Sequence, residues 1–242
     1  MSEFRVFGVE GLPELRAGDD LAALIAERAE VEEGDVVVVA QKAVSKVEGR
    51  VVRLDEVEPS ARARELAGGE DPRRLEVVLR ESARLVRTRP PLVIAETRHG
   101  FVCASAGVDA SNAPGPGILV LLPLDPDASA QRLREGLRAL TGCDVGVIVS
   151  DSFGRPFRQG TTDVAVGAAG IEVLRDLGGE RDGTGYELHA TVIAVADELA
   201  SAAQLAMGKL DGVPAAIVRG VTVAGSGQAT DIVMPAARDL FR

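Results

Sequence analysis

Two apolar, β-branched runs constrain the fold of this chain more than any other feature. Residues 36–40 are apolar on both faces, which predicts a strand in the centre of a sheet. Residues 145–149 also have the composition of a buried strand, and this run continues directly into Asp151. A charged carboxylate is costly inside a sheet unless it is paired or binds a metal. We therefore expect Asp151 at the end of its strand, where a loop opens.

The remaining elements mix strands and helices without strict alternation, which favours an α+β fold over a doubly wound sheet. The patterns predict strands at residues 4–9, 92–95, 101–104, 118–122, 188–196 and 213–218, with a hairpin connecting the second and third of these. They predict helices at residues 19–29, 125–140, 171–177 and 197–207, and one or two more within 56–87, broken near residues 68–69. Residues 161–170 are rich in Gly, Ala and Val, which predicts close backbone packing.

Composition limits the classes of function. The net charge of −10 argues against a nucleic-acid surface, which needs a basic face, but allows a local phosphate site. No apolar run reaches membrane-spanning length, and Glu3 and Arg5 break up the N-terminal segment where a signal peptide would begin. Cys103 and Cys143 lack metal-ligand spacing and are expected to be buried thiols. We expect a soluble cytoplasmic protein.

Three polar clusters follow apolar strands, at residues 41–46, 109–112 and 151–152. Together they supply carboxylates, hydroxyls, amides and ammonium groups, which suit a divalent metal and a nucleotide. The chain has neither a Walker motif nor a Rossmann glycine fingerprint. Plainer interpretations remain open: Lys42 and Lys46 as solvated lysines, and residues 152–154 as a turn followed by the solvated side chains of Arg155 and Arg158.

Several motifs resemble the γ-glutamyl ligases of coenzyme F420 biosynthesis, in the family's order from about residue 6 to the C-terminus. They are GLPE at 11–14, VSKVEGR at 44–50, AGVDASN at 106–112, LPLDPD at 122–127, DSFGR at 151–155, QGTTD at 159–163, ADE at 196–198, MGK at 207–209, VRG at 218–220 and DLF at 239–241. The match is closest to the ligase domain of the bacterial form, which is often fused to a C-terminal nitroreductase-like domain. We expect residues 1–242 to form one ligase domain without that addition.

The resemblance implies an enzyme that joins L-glutamate to the lactyl carboxylate of a deazaflavin precursor, F420-0. GTP would phosphorylate the carboxylate, the amine of glutamate would attack the acyl phosphate, and repetition would build a γ-linked glutamate tail. The implied cofactors are Mg²⁺ or Mn²⁺, with K⁺ as a further ion to test. The implied fold is a two-part, mixed-sheet α+β structure that forms an intertwined homodimer. The expected partners are these small molecules, with no nucleic acid and no membrane.

The resemblance also assigns residues. It implies that Asp109 and Asp151 are catalytic and that Asp109, Asp151 and Ser152 hold the metal, with Ser152 where the family often has Thr. The implied GTP site consists of Leu12, Pro13, Glu14, Leu15, Gln41, Lys46, Asn112, Met207 and Gly208. Two positions depart from the family. Gln41 stands where Ser is common. Lys209 stands where archaeal members tend to carry an acidic or amide residue, and a lysine cannot serve as an oxygen ligand for a second metal.

Two alternatives belong to other classes of protein. A catalytically idle nucleotide-binding scaffold could share the fold, but the presence of both Asp109 and Asp151 argues against lost chemistry. A metal-dependent phosphatase with Asp151 as nucleophile would need a second Asp two residues later, where this chain has Phe153.

Overall fold

The computed structural model describes residues 3–240, so residues 1–2 and the last residue of the DLF motif, Phe241, lie outside the described part. The α-helices are α1 (Leu21–Ala26), α2 (Gln41–Val47), α3 (Ala61–Leu66), α4 (Pro72–Glu81), α5 (Pro126–Thr141) and α6 (Val195–Met207). The strands are β1 (Arg5–Gly8), β2 (Val36–Ala40), β3 (Val51–Arg53), β4 (Ser82–Arg89), β5 (Leu92–Thr97), β6 (Val102–Ala104), β7 (Ile118–Val120), β8 (Gly146–Arg155), β9 (Arg158–Ala169), β10 (Arg175–Asp176), β11 (Val192–Ile193) and β12 (Ala215–Arg219). Short 3-10 helices cover Leu54–Glu56, Ser105–Gly107 and Ala229–Ile232.

A five-stranded sheet in the order β1-β12-β2-β8-β9 forms the centre of the molecule. β2 and β8 are parallel neighbours, with Val36 opposite Gly146 and Ala40 opposite Ser150, and the other pairs are antiparallel. Residues 36–39 of β2 and 147–149 of β8 are at most 1% exposed, because helices α5 and α6 pack against the sheet. The two central strands predicted from the sequence are therefore confirmed.

A second hydrophobic cluster lies apart from the central sheet. It consists of residues from α3, α4, β5, β7 and the connections between them, including Leu66, Val78, Val93 and Leu119. Two smaller sheets, β3-β7 and β4-β5-β6, belong to this part of the chain. The predicted hairpin is confirmed as β5 and β6. Several separate sheets and unevenly distributed helices confirm the α+β class.

The prediction that Asp151 ends its strand is wrong. β8 continues to Arg155 and forms a long hairpin with β9, in which Asp151 lies opposite Val164. β2 stops at Ala40, opposite Ser150, so the second half of β8 pairs with β9 alone. The plainer interpretation of residues 152–154 as a turn is also wrong, because the chain reverses between Arg155 and Arg158.

Three other predicted elements differ from the structure. Residues 171–177, predicted as a helix, form an isolated bridge at Ile171 and the short strand β10. Most of the predicted strand 188–196 is irregular, and only β11 is extended. The end of the predicted helical region 56–87 is β4, because backbone pairing with β5 overrides the local helical pattern. Within residues 3–240, no helix is long and apolar enough to span a membrane.

Candidate active site

A cavity of about 540 Å³ lies where β2 ends beside Ser150 of its parallel neighbour β8. The two strands are parallel, so the residues that follow β2 emerge beside Ser150, Asp151 and Ser152, which lie within β8. Helix α2 begins directly after β2, and Ser150, Asp151 and Ser152 continue along β8. All these segments line the cavity. Carboxyl ends of parallel strands are the usual place for ligands in open α/β sheets, and here the carboxyl end of β2 provides that place.

The structure brings together nearly all of the predicted site residues. The residues expected at the GTP site all line the cavity, and they are Leu12, Pro13, Glu14, Leu15, Gln41, Lys46, Asn112, Met207 and Gly208. They come from four separate segments of the chain: the loop before α1, helix α2, the loop before β7, and the end of α6. Asp151 and Ser152 line the same cavity, whereas Asp109 reaches it only through its contact with Lys42.

Two lysines of α2 enter the site, one helical turn apart. Lys46 Nζ lies 2.6 Å from Glu14 Oε1, and Lys42 Nζ lies 2.5 Å from Asp109 Oδ2. Their side chains are only 11% and 12% exposed, so they are not the solvated pair of the plainer interpretation. Lys42 was not assigned to the site from the sequence, although its four-residue spacing from Lys46 is the pattern that places it there.

Asp109 is held by a dense set of hydrogen bonds. Its Oδ2 accepts from Lys42 and, at 2.8 Å, from the Ser111 hydroxyl, while its Oδ1 accepts from the Ser111 backbone N–H at 2.9 Å. Partial burial alone would raise the pKa of Asp109, but the hydrogen bonds from Lys42 and Ser111 outweigh it and bring the pKa to about 2. Asp109 is therefore ionised throughout the physiological range.

Asp151 has the opposite environment. Burial raises the pKa of Asp151 to about 7, and the nearby negative charges of Asp163 and Asp109 add to that effect. The Ser152 backbone N–H and the Lys42 ammonium oppose it without reversing it. Asp151 forms no ion pair within residues 3–240. A half-buried carboxylate without an ion-pair partner is a candidate for binding an added cation.

The oxygen atoms near Asp151 fit a small divalent cation. Two carboxylates and the Ser152 hydroxyl are hard ligands of the kind that Mg²⁺ and Mn²⁺ prefer. The Ser152 hydroxyl donates its proton to Asp163 Oδ1 at 2.6 Å, so its oxygen keeps lone pairs free for a cation. In the described part of the chain, no three His, Cys, Asp or Glu side chains are grouped to hold a metal. The donor set therefore suits Mg²⁺ shared with substrate phosphates, the usual arrangement for this ion.

Gln41 and Lys209 are the two positions at which this chain departs from the expected pattern. Gln41 is buried, and its Oε1 accepts a hydrogen bond from the Ser45 hydroxyl at 3.0 Å. Its Nε2 has no hydrogen-bond partner among the described residues, although the side chain lines the cavity. A buried unpaired amide is costly, so this group is suited to donate to a bound ligand. Lys209 also lines the cavity, just past the end of α6.

Comparisons with known proteins identify the family of the chain. The sequence model of the F420-0:γ-glutamyl ligase family matches residues 11–220, which include every predicted site residue. The coenzyme F420:L-glutamate ligase of Methanopyrus kandleri is 53% identical over 94% of this chain and 93% of its own length. The ligases of the same name from Methanothermobacter thermautotrophicus and Archaeoglobus fulgidus are 44% and 46% identical, each over 98% of this chain and over 98% and 96% of their own lengths.

These three relatives are archaeal, so the expected closeness to the bacterial form stays a prediction. The identity extends over nearly the whole of both chains in each comparison, and the family match spans most of the described structure. On this basis the chain belongs to the F420-0:γ-glutamyl ligase family.

Proposed function

We propose that this protein uses GTP to join L-glutamate to the lactyl carboxylate of F420-0 and then extends a γ-linked glutamate tail. Family membership supports the ligase activity. The convergence of two lysines, two carboxylates and a serine hydroxyl at one cavity carries the proposal of a phosphoryl-transfer step. A carboxylate is a poor electrophile, so an amide ligase must first activate it, and an acyl phosphate is the activated form that GTP can supply.

The nucleotide binds along the wall formed by α2, the loop before α1, and the end of α6. Lys46 is paired with Glu14 and Lys42 with Asp109, so both ammonium groups are held in the cavity before substrates arrive. Positively charged donors fixed in place stabilise the charge of a transferring phosphoryl group without reorganising during the reaction. Gln41 contributes its unpaired amide N–H as a further donor.

The carboxylates of Asp109 and Asp151 and the hydroxyl of Ser152 would hold Mg²⁺ or Mn²⁺ against the phosphates. The cation supplies charge neutralisation and orientation for the phosphoryl group. Lys42 lies on α2, in the nucleotide wall, and contacts Asp109 of this ligand set. Asp109 is ionised and ready to bind, whereas Asp151 must lose a proton near neutral pH to do so.

Further parts of the proposal concern assembly and conditions. We place the chain in an intertwined homodimer with a two-part fold, residues 1–242 acting as one ligase domain. The two separate hydrophobic clusters support a two-part fold. K⁺ is proposed as an additional activating ion. The reaction is placed in the cytoplasm, where GTP and glutamate are abundant, with small molecules rather than nucleic acid or membranes as partners.

The experiment is a reaction of purified protein with F420-0, L-glutamate, Mn²⁺ and GTP, analysed by mass spectrometry. We expect products carrying one or more added glutamates, with none when GTP is omitted or replaced by ATP. The Asp151→Asn variant is the matched control, because it keeps the shape of the side chain and removes its charge. Tight GTP binding without any glutamylated product would instead identify an idle nucleotide-binding scaffold.

A further inference from the structure

Asp163 is a buried carboxylate at the cavity to which the sequence assigned no role. It lies on β9 directly opposite Ser152 of β8, and its side chain lines the cavity. Its Oδ1 accepts from the Ser152 hydroxyl at 2.6 Å, and its Oδ2 accepts from the Ser150 hydroxyl at 3.0 Å. The residue is only 5% exposed, and it forms no ion pair within residues 3–240.

Helix α6 fixes the backbone of Asp163 from the other side. The Asp163 N–H donates to Gln204 Oε1 at 3.1 Å, and the Asp163 carbonyl accepts from the Ser201 hydroxyl at 2.8 Å. β9 is an edge strand of the central sheet, so the side chains of Gln204 and Ser201 make the backbone hydrogen bonds that a neighbouring strand would otherwise make. The carboxylate is thereby held rigidly against the two serines.

The hydrogen-bond direction decides what the Ser152 oxygen offers to the cavity. A hydroxyl has one proton and two lone pairs. The Ser152 hydroxyl donates its one proton to Asp163 Oδ1, so the lone pairs of its oxygen remain for another partner. If that proton were free to turn towards the cavity, it would repel a cation.

We propose that Asp163 is a positioning residue. It accepts the hydrogen bond of the Ser152 hydroxyl, so that the Ser152 oxygen presents only lone pairs to the divalent cation. Ser150 holds the second oxygen of Asp163 and so fixes the plane of the carboxylate. This inference rests on the proposed function, in which Ser152 is a metal ligand. The pair resembles the outer hydrogen bonds that orient ligands at many metal sites.

The test measures Mn²⁺ binding to the protein alone, by electron paramagnetic resonance, with no nucleotide and no reaction. Asp163→Asn is expected to weaken Mn²⁺ binding by about 10–100-fold, the usual effect of removing such a partner. Asp163→Glu keeps the charge but displaces the carboxylate, and it should weaken binding as well. Ser150→Ala should have a smaller effect than either, because it leaves the Ser152 hydrogen bond in place.

A double-variant cycle separates positioning from simple attraction. If Asp163 acts through Ser152, then Asp163→Asn adds little once Ser152→Ala is present. If Asp163 only adds negative charge, the two effects on Mn²⁺ affinity add, and Asp163→Glu binds Mn²⁺ like the wild type. Either of those results would overturn the positioning role.

The remaining outcomes are also decisive. An Asp163→Asn protein that is unfolded in chelator, as judged by circular dichroism, would show that Asp163 serves the fold and would overturn the inference. If the wild type binds Mn²⁺ and the Asp163 variants bind it equally well, this inference is refuted while the metal site of the proposed function stands. Wild type that binds no Mn²⁺ at all would refute both this inference and the metal site of the proposed function.

Discussion

The raised pKa of Asp151 predicts that replacing it will stabilise the metal-free protein at neutral and alkaline pH. Its folded-state pKa is about 7, against an ordinary value of 3.8. A carboxyl with a raised pKa contributes stability that is fully present below pH 4 and is lost as pH rises through 7. Asn carries no charge at any pH, so Asp151→Asn avoids that loss.

The folded-state pKa of Asp151 lies about three units above its ordinary value. At about 1.4 kcal/mol per unit, the loss of folding stability has an upper limit of roughly 4 kcal/mol. Measured in chelator, the stability advantage of Asp151→Asn over wild type should grow by roughly 2–3 kcal/mol between pH 5 and pH 8. The assay is urea unfolding followed by circular dichroism at several pH values. At pH 8, Mn²⁺ at a hundredfold excess over Kd should then stabilise the wild type by about 2.7 kcal/mol. It should stabilise the Asp151→Asn variant less.

Asp197 provides a matched control for this experiment. Burial also raises the pKa of Asp197, and its Oδ1 accepts the Ala165 N–H at 2.9 Å, a bond that Asn can preserve. Asp197→Asn should therefore also gain stability as pH rises, but without changing the response to Mn²⁺. An Asp151→Asn protein whose stability advantage over wild type is the same at pH 5 and pH 8 would refute the reasoning about the unpaired charge of Asp151.

Three further predictions concern the site and the assembly of the protein. Lys46→Ala should raise the KM for GTP at least tenfold, because a charged hydrogen bond to the nucleotide is lost. Unchanged GTP kinetics would remove Lys46 from the site. Asp109→Asn and Asp151→Asn should each lower kcat about 100-fold or more. The double variant should be scarcely worse than either single variant, because both residues act on one ion. Additive losses would contradict a shared ion. Sedimentation velocity at micromolar concentration should show a homodimer, and a stable monomer would count against that assembly.

Sequence reasoning was most successful where the signal was local. The apolar runs of β2 and β8 identify buried strands from composition alone, and the polar residues directly after β2 enter the cavity that the strand ends form. The motifs then identified the family. These features need only a short window of sequence, because burial on both faces leaves a continuous apolar run.

The sequence could not supply the pairings between distant segments. Asp151 lies inside a strand because β9 extends the hairpin beyond the end of β2, which no pattern around Asp151 reveals. The contact of Lys42 with Asp109 joins residues 67 positions apart, and Asp163 meets Ser152 only through strand register. In the same way, β4 has a helical pattern but is extended because β5 pairs with it.

The most direct test of the central claim follows oxygen through the reaction. F420-0 is prepared with a heavy-oxygen label in its lactyl carboxylate and is incubated with the protein, GTP, Mn²⁺ and L-glutamate. If the carboxylate is phosphorylated and glutamate then displaces phosphate, one labelled oxygen must appear in the released inorganic phosphate, detected by mass spectrometry. Glutamylated product formed while the phosphate remains unlabelled would contradict activation through an acyl phosphate.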